Sequence, residues 1–291
     1  MNHDFSDMPA SSLSESGHGV DELNYNLRLR HSDAMDIMRD WQRRSAIARR
    51  QMSVLEDLAY GESEWEKLDI FMASPSAPLL VFIHGGYWQG GDKRDVSFVA
   101  TPFVRAGVAV ALINYGLAPD TPIEAMLAQT ARAVRWLHAN AAAYGVDAQR
   151  IHLMGHSAGG HLAAAMLART EETAAMSRLV RSATAISGLF DLAPLIATSW
   201  NMALRLDERR AALLSPARLE RNSDAPLFTL VGADETEGFK QQAASIGQSW
   251  SKVRSLPWVT GKHHYNVLDI FDGPSNPWLG ELLGVVAGVR G

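Results

Sequence analysis

The segment 151–161 contains a serine whose neighbours suit nucleophilic catalysis. A short apolar run leads to Gly155, Ser157 follows after one residue, and Gly159 follows after one more. In a sharp turn between a strand and a helix, side chains two positions either side of the serine would collide, which accounts for both glycines. Such a turn exposes the serine oxygen and aims the first helical amides at a developing negative charge. Although an ordinary glycine-rich turn would look similar, the pattern predicts Ser157 as a nucleophile and the Ala158 amide as an oxyanion donor.

A second glycine-rich loop follows the apolar run Leu79–Ile83. That run has the length and composition of a central strand buried on both faces, and it leads directly into the segment 84–88, His-Gly-Gly-Tyr-Trp. Glycines just past the carboxyl end of such a strand lie where open α/β sheets bind ligands. We expect the backbone amides of Gly86 and Tyr87 to complete the oxyanion hole. The imidazole of His84 is expected to hold the loop rather than to transfer protons.

The residues expected to contact a substrate flank these two turns: Gly85, Tyr87, Trp88 and His156. Tyr87 and Trp88 could form an aromatic wall for an aryl group, whereas packing against the neighbouring strand is the alternative for both.

Two further candidate residues follow later strands. Asp234 comes three residues after the apolar run Leu227–Val231, and His264 lies in the loop after the predicted strand Val253–Trp258. A serine hydroxyl needs an imidazole to accept its proton, and the imidazole needs a carboxylate to fix its tautomer. The chain order of Ser157, Asp234 and His264 is that of α/β-hydrolases and differs from the chymotrypsin and subtilisin orders. We therefore predict a triad of these three residues.

Neighbouring residues leave alternatives for two members of this triad. His263 is the rival for the base, and Glu235, Glu237 or Asp269 could replace Asp234 as the acid. Other histidines could in principle bind a metal, but no His-Glu-x-x-His or comparable spacing is present. We therefore expect no metal. Because neither Gly-x-Gly-x-x-Gly nor a Walker loop follows any strand, we also expect no nucleotide cofactor.

Composition limits the partners of the chain. It has 291 residues, a formal net charge of -5 and no cysteine. The charge and the lack of a long basic block argue against nucleic acid, and no apolar run is long enough to span a membrane. Without cysteine there is no disulfide and no thiolate site. We expect a cytoplasmic protein that acts on a small-molecule substrate, with a homodimer as a further expectation.

The pattern of apolar runs predicts the domain organisation. Residues 1–23 are expected to be a disordered tail, and residues 24–291 a single α/β domain that begins with helices over 24–52. An antiparallel edge hairpin is predicted over 54–72, and strands then alternate with helices, which indicates a mostly parallel, doubly covered sheet. Residues 191–222 have no strand pattern and are predicted to form a small helical cap over the active site.

Several motifs together resemble the kynurenine formamidase (arylformamidase) branch of the α/β-hydrolase fold, related to hormone-sensitive-lipase-like esterases. The resemblance extends over nearly all of the chain from residue 24 onwards. The motifs are His84–Gln89 with Lys93, Asn114–Pro119, Gly155–His161, Ser187–Asp191, the Asn24–Asn26 start, the hairpin from Tyr60 to Phe71, and the neighbourhoods of Asp234 and His264.

This resemblance implies the hydrolysis of N-formyl-L-kynurenine to L-kynurenine and formate without a cofactor. It implies Ser157 as nucleophile, with Asp234 and His264 as its partners. The chain departs from the family where residues 235–239 read Glu-Thr-Glu-Gly-Phe instead of Asp-Ser-Pro-Glu-Phe, a change that we expect not to touch the triad. The alternative functions are a carboxylesterase for short-chain acyl esters, or an enzyme for another N-formyl or amide substrate, and a non-catalytic binding protein with the same fold.

Overall fold

The computed structural model describes residues 19–273 and 276–287. Most of the predicted tail therefore lies outside the described residues, but its last part contradicts the prediction. A helix, α1, spans Val20–Tyr25, and its Glu22 is buried. The Glu22 carboxylate accepts hydrogen bonds from the amide and the hydroxyl of Ser199, each at 2.7 Å. Because a buried carboxylate with such donors is held in place, residues 20–23 belong to the folded domain.

The centre of the molecule is an eight-stranded sheet in the order β1-β2-β4-β3-β5-β6-β7-β8. β2 pairs antiparallel with both β1 and β4, and all other neighbours are parallel, so the predicted edge hairpin and mostly parallel sheet are confirmed. The strands are β1 (Val54–Ala59), β2 (Lys67–Phe71), β3 (Ala77–Ile83), β4 (Ala109–Ile113), β5 (Val146–His156), β6 (Val180–Ile186), β7 (Leu227–Leu230) and β8 (Val253–Ser255).

Helices cover both faces of this sheet. Beside α1 they are α2 (Ala34–Gln51), α3 (Ala100–Arg105), α4 (Ile123–Asn140), α5 (Ala158–Ala165), α6 (Met176–Leu179), α7 (Asn201–Leu204), α8 (Glu208–Leu214), α9 (Glu237–Ser249) and α10 (Pro277–Ala287). Short 3-10 helices span Leu27–Leu29, Ser97–Val99, Ala141–Tyr144, Ala193–Ala197, Pro216–Arg218 and Asn266–Phe271. None of the helices in the described ranges combines the length and the apolar character needed to cross a bilayer.

The continuous apolar runs arise because each central strand buries both faces. On β3, Val81 packs in one cluster with α4, α5 and α9, whereas its neighbours Leu80 and Phe82 pack in a second cluster with α2, α3 and α10. Successive side chains of a strand point to opposite faces. A strand covered by helices on both sides must therefore be apolar at every position.

A buried ion network fixes the end of the loop that follows β3. Lys93, only 2% exposed, lies 3.0 Å from the fully buried Asp69 carboxylate of β2. Arg49 of α2 lies 2.8 Å from the other oxygen of Asp69. The amide of Lys93 donates to the side chain of Asn114, at the end of β4. Because buried charges must be paired, this network attaches the glycine-rich loop to the antiparallel edge of the sheet.

Candidate active site

Ser157 occupies a strained turn between β5 and α5. Its φ of 56° and ψ of -119° lie in a region that residues other than glycine rarely adopt. A Cβ atom on Gly155 would lie 2.1 Å from the carbonyl oxygen of Gly159, and one on Gly159 would lie 2.0 Å from that of Ile83. Both glycines are therefore required by the close approach of backbone to backbone, as the sequence pattern predicts. The amide of Ser157 donates to the Ile186 carbonyl at 2.9 Å, which fixes the turn against β6.

The loop after β3 lies against this turn and has its own glycine requirement. Gly86 has a φ of +115°, and a Cβ there would lie 2.1 Å from the carbonyl oxygen of Gly90. The amides of Gln89 and Gly90 donate back to the Gly86 carbonyl at 2.9 and 3.1 Å. The loop is thereby closed into a tight turn beside the serine.

Three backbone amides around these two turns are available to a ligand. Among the described residues, no acceptor is hydrogen-bonded to the N–H groups of Gly86, Tyr87 and Ala158. Amides at the start of a helix and in such a loop attract negative charge. The structure thus leaves unpaired the donors that the sequence predicts for an oxyanion hole.

His84 holds the loop, in line with its predicted role. Its Nδ1 donates to the carbonyl of Gly85 at 2.8 Å, and its ring stacks on Tyr115 with centroids 4.5 Å apart. The Tyr115 hydroxyl donates to the His84 carbonyl at 2.9 Å. Complete burial lowers the pKa of His84, so the ring stays neutral and is not suited to act as an acid.

His264 is paired with a carboxylate, and that carboxylate belongs to Glu235. Its Nδ1 lies 2.9 Å from Oε2 of Glu235, and the two side chains are 4% and 0% exposed. Oε1 of Glu235 accepts hydrogen bonds from the Gly232 amide at 3.0 Å and from the Ser187 hydroxyl. Because Nδ1 bears the proton shared with Glu235, Nε2 is left as the nitrogen that can accept a proton.

Asp234, the predicted acid, is not the residue that the structure places against His264. Asp234 is exposed, and its amide donates to the Lys262 carbonyl at 2.9 Å. The chain turns tightly after β7, where the amide of Glu235 donates a hydrogen bond to the carbonyl of Gly232 at 3.3 Å. This turn directs residue 235 inward and residue 234 outward, and the longer glutamate side chain reaches the imidazole.

The other two acids that the sequence left open lie elsewhere. Glu237 is exposed at the start of α9, where Lys240 pairs with it at 3.2 Å. Asp269 lies 2.8 Å from Lys262 and 3.2 Å from Arg44. Of the candidate acids, only Glu235 contacts the imidazole of His264.

His263, the rival base, points to the N-terminal segment. Its ring stacks on His31 with centroids 4.1 Å apart and planes at 13°, and its Nε2 lies 3.3 Å from Asp33. These three side chains offer ligand atoms within 4.8 Å of one another. The His263 ring is thus directed towards His31 and Asp33.

A cleft with roughly 630 Å³ of space, part of it open to solvent, lies above these groups. Ser157, His264 and Gly86 line it together with the predicted contact residues Gly85, Tyr87 and His156. The rest of its wall is formed by Arg28, Met38, Trp41, His84, Gly91, Asp92, Asp95, Val96, Trp200 and Tyr265.

Trp88, predicted to contact substrate, does not line the cleft. Its side chain is fully buried, and its ring packs edge-on against His161 with centroids 5.1 Å apart. Gly86, Tyr87 and Trp88 all have positive φ angles, and that of Trp88 is 56°. This conformation turns the indole into the core, so the packing alternative applies to Trp88.

Tyr87 and Trp200 form the aromatic wall of the cleft. Their rings stack with centroids 4.3 Å apart and planes at 7°. The hydroxyl of Tyr87 and the indole N–H of Trp200 both donate to the carbonyl of Tyr25. Burial raises the pKa of Tyr87 well above its usual range, so this hydroxyl stays protonated.

The segments 19–33 and 191–222 meet beside the cleft, and each contributes one residue to its wall, Arg28 and Trp200. Ser199 is bonded to Glu22, and Gln89 of the glycine-rich loop donates to the Trp200 carbonyl at 3.2 Å. Arg210 of α8 forms two bonds of 2.8 Å with Glu124 of α4, which anchors the far end of the second segment. Residues 28, 38 and 41 also line the cleft, whereas the sequence analysis predicted helices over 24–52 and no substrate contact from them.

Similarity to known proteins extends over most of the chain. The kynurenine formamidase of Danio rerio is 36% identical over 239 residues, which cover 76% of this chain and 78% of the relative. The kynurenine formamidase of Drosophila melanogaster is 31% identical over 238 residues, covering 77% and 78%. The chain belongs to the kynurenine formamidase family. It is thus a hydrolase of the α/β-hydrolase fold, as the motifs predict.

Other comparisons support the fold of this family member. The sequence model of the BD-FAE family matches residues 68–198. A crystal structure of a Silicibacter sp. TM1040 protein, provisionally described as a thioesterase, superposes with a TM-score of 0.80 at 31% identity, covering 92% of this chain and 98% of that chain. An esterase from Pyrobaculum calidifontis, at 18% identity and a TM-score of 0.65, covers 97% and 99% and shares the fold.

Glu235 is the first residue of the segment 235–239, where this chain departs from the family pattern. The Asp-Ser-Pro-Glu-Phe pattern of the kynurenine formamidase branch aligns its aspartate with Glu235, which contacts His264. The departure from the family pattern therefore falls on the residue that contacts His264.

Proposed function

We propose that this protein hydrolyses N-formyl-L-kynurenine to L-kynurenine and formate, with Ser157, His264 and Glu235 as its triad. The observation that carries the proposal is the 2.9 Å contact of Glu235 with Nδ1 of His264, at a cleft that Ser157 also lines. Membership of the kynurenine formamidase family supports the choice of substrate.

In the first half-reaction, His264 accepts the proton of Ser157 as the serine oxygen attacks the formyl carbon. The carbonyl oxygen becomes an oxyanion and accepts hydrogen bonds from the amides of Gly86, Tyr87 and Ala158. The Glu235 carboxylate stabilises the imidazolium that forms. His264 then protonates the aniline nitrogen, the C–N bond breaks, and L-kynurenine leaves a formyl ester on Ser157.

In the second half-reaction, His264 removes a proton from water, which attacks the formyl ester. The same three amides bind the oxyanion, and the ester bond to Ser157 breaks as His264 returns the proton to the serine oxygen. Formate is released and the enzyme is regenerated. Neither half-reaction as written uses a cofactor or a metal, and the proton that formic acid loses on ionising to formate passes to solvent.

A comparison of two substrates tests the reaction. We expect kcat/KM for N-formyl-L-kynurenine to exceed that for p-nitrophenyl acetate, because the relatives of this family are kynurenine formamidases. An ester preference of about a hundredfold or more would instead favour the carboxylesterase alternative. Ser157→Ala should lower kcat for both substrates by at least about ten-thousandfold with the fold retained. Binding of substrate without turnover in the native enzyme would favour the non-catalytic alternative.

Location and assembly are further parts of the proposal. A chain without cysteine gains nothing from an oxidising compartment, which supports action in the cytoplasm. A homodimer remains a prediction, which the molecular mass in solution would test.

A further inference from the structure

His156 joins the two segments that carry the proposed nucleophile and the proposed base. It is the last residue of β5 and directly precedes Ser157. Its Nε2 lies 2.9 Å from the carbonyl oxygen of His264, and both side chains are buried. Because a carbonyl oxygen can only accept, Nε2 of His156 carries the proton and donates this hydrogen bond. The strained turn that fixes Ser157 is thus also bonded to the backbone of residue 264.

Further contacts hold the His156 ring in place. It meets the ring of Trp41 of α2 edge-on, with centroids 5.9 Å apart and planes at 89°. It also packs against the ring of His264, with centroids 4.8 Å apart and planes at 41°. A Cβ atom on Gly85 would lie 2.9 Å from the His156 carbonyl oxygen and 3.2 Å from its Nδ1, so the loop after β3 packs closely on the same residue. His156 therefore lies where the turn of Ser157, the loop after β3 and the loop of His264 meet.

The ring of His156 is suited to positioning rather than to proton transfer. Burial lowers the pKa of His156 well below its usual range, and the neighbouring His264 lowers it further. A neutral ring adds no like charge beside the imidazolium that His264 becomes during the reaction. Its Nε2 is bonded to a carbonyl and not to the imidazole of His264. His156 can therefore orient the base without exchanging protons with it.

Two hydrogen bonds from other segments reach His264, one on its side chain and one on its backbone. Nδ1 of the ring lies 2.9 Å from Glu235, and the carbonyl lies 2.9 Å from Nε2 of His156. A base must lie within about 2.6–3.2 Å of the proton donor, and a displacement of about 1 Å can cost about a hundredfold in rate. The bond to Glu235 orients the ring, whereas the bond to His156 fixes the backbone from which the ring projects.

We propose that His156 is a positioning residue that holds His264, through its carbonyl, at the distance from Ser157 that proton transfer requires. This role rests on the proposed function for the triad of Ser157, His264 and Glu235. It is distinct from the substrate contact that the sequence predicts for His156, whose ring lines the cleft. The two roles differ in kinetics, because loss of a substrate contact raises KM, whereas displacement of the base lowers kcat and leaves KM almost unchanged.

Three variants test this role through kcat and KM for N-formyl-L-kynurenine and for p-nitrophenyl acetate. His156→Leu removes the donor and keeps a side chain of comparable size, and we expect kcat to fall by about 10- to 100-fold with KM within about threefold of the native value. His156→Gln places an amide N–H near the position of Nε2 and should restore kcat to within about fivefold of the native enzyme. His138→Leu, half-buried on α4, is the matched control and should stay within about twofold.

An unchanged kcat in His156→Leu, a loss confined to KM, or an equal loss of kcat in His156→Leu and His156→Gln would overturn the role of His156. Should His156→Leu fail to fold, the native enzyme still gives a test. Heteronuclear NMR of the imidazole nitrogens reports which of them carries the proton, and we expect the neutral Nε2–H form of His156 at neutral pH. A neutral Nδ1–H form would overturn the proposal, because Nε2 could then not donate to the His264 carbonyl.

The two substrates separate the failure of this role from the failure of the proposed function. If the native enzyme hydrolysed p-nitrophenyl acetate but not N-formyl-L-kynurenine, and kcat for the ester fell in His156→Leu and recovered in His156→Gln, the proposed substrate would be wrong and the positioning role would stand. If the formamide were hydrolysed and kcat were the same in the native enzyme and both His156 variants, the proposed function would stand and the role of His156 would be wrong.

Discussion

Glu235 and His264 form a buried pair that the fold isolates from solvent. Their side chains are 0% and 4% exposed, and Oε2 of Glu235 lies 2.9 Å from Nδ1 of His264. The Gly232 amide and the Ser187 hydroxyl satisfy the other carboxylate oxygen. A buried carboxylate needs such partners, and together they leave Glu235 a single geometry in which to orient the imidazole.

Glu235→Gln should therefore lower kcat by roughly a thousand- to ten-thousandfold, because an amide neither stabilises the imidazolium nor fixes the tautomer of His264. The measurement is steady-state turnover of N-formyl-L-kynurenine. Asp234→Asn is the matched control, since Asp234 is adjacent and exposed, and it should stay within about twofold of the native enzyme. If the control lost activity and Glu235→Gln retained it, the proposed assignment of Glu235 as the acid would have to be exchanged for Asp234.

The difference between residues 234 and 235 shows what the sequence could and could not determine. The buried strands could be predicted because burial on both faces requires an apolar residue at every position, as from Leu79 to Ile83. Both glycines around Ser157 could be predicted because the turn itself excludes side chains. Which of two adjacent acids faces inward depends on the turn after β7, and no local pattern specifies that turn.

The wall of the cleft was harder to predict for a related reason. Tyr87 and Trp88 are adjacent aromatic residues that both have positive φ angles, and of the two only Tyr87 lines the cleft. Arg28 and Trp41 are distant in the sequence from the catalytic motifs, and tertiary packing brings them to the site. Sequence periodicity shows that such a helix is amphipathic but not which surface it covers.

The two adjacent histidines should differ sharply in their effect on turnover. His264→Ala removes the base and should lower kcat by at least about ten-thousandfold. His263→Ala removes a ring that stacks on His31 and contacts Asp33, and most of the activity should remain. Both variants are assayed for kcat and for the thermal midpoint of unfolding. Survival of activity in His264→Ala together with its loss in His263→Ala would exchange the two roles.

A substitution at Gly86 should test the oxyanion hole through the backbone. A Cβ at this position would meet the Gly90 carbonyl oxygen at 2.1 Å, and the φ of +115° disfavours any other residue. Gly86→Ala should displace the unpaired amides and lower kcat by about a hundred- to a thousandfold. Gly247→Ala, in α9 with no atom within 4 Å of the added group, is the control and should retain full activity. Equal activities of the two variants would exclude the loop from the reaction.

The buried histidines should make stability depend on pH in the mildly acidic range. Burial, followed by the charges of Arg150 and Arg181, lowers the pKa of His152 to about 4. In the unfolded chain this imidazole titrates near 6.5. Between these values the unfolded state binds more protons than the folded state, so the free energy of unfolding falls as pH falls from 6.5 towards 4.

His152→Gln should remove this contribution, which amounts to about 3 kcal/mol at most. Glutamine can keep a hydrogen bond to Ser182, whose hydroxyl lies 2.8 Å from Nδ1 of His152, but it cannot titrate. Guanidinium unfolding at several pH values between 4.5 and 7.5 gives the slope of the unfolding free energy against pH. The variant should have a slope smaller by up to about 1.4 kcal/mol per pH unit, which corresponds to one proton. An unchanged slope would mean that His152 is protonated in the folded state as readily as in the unfolded chain, because only a difference between the two states can make stability depend on pH.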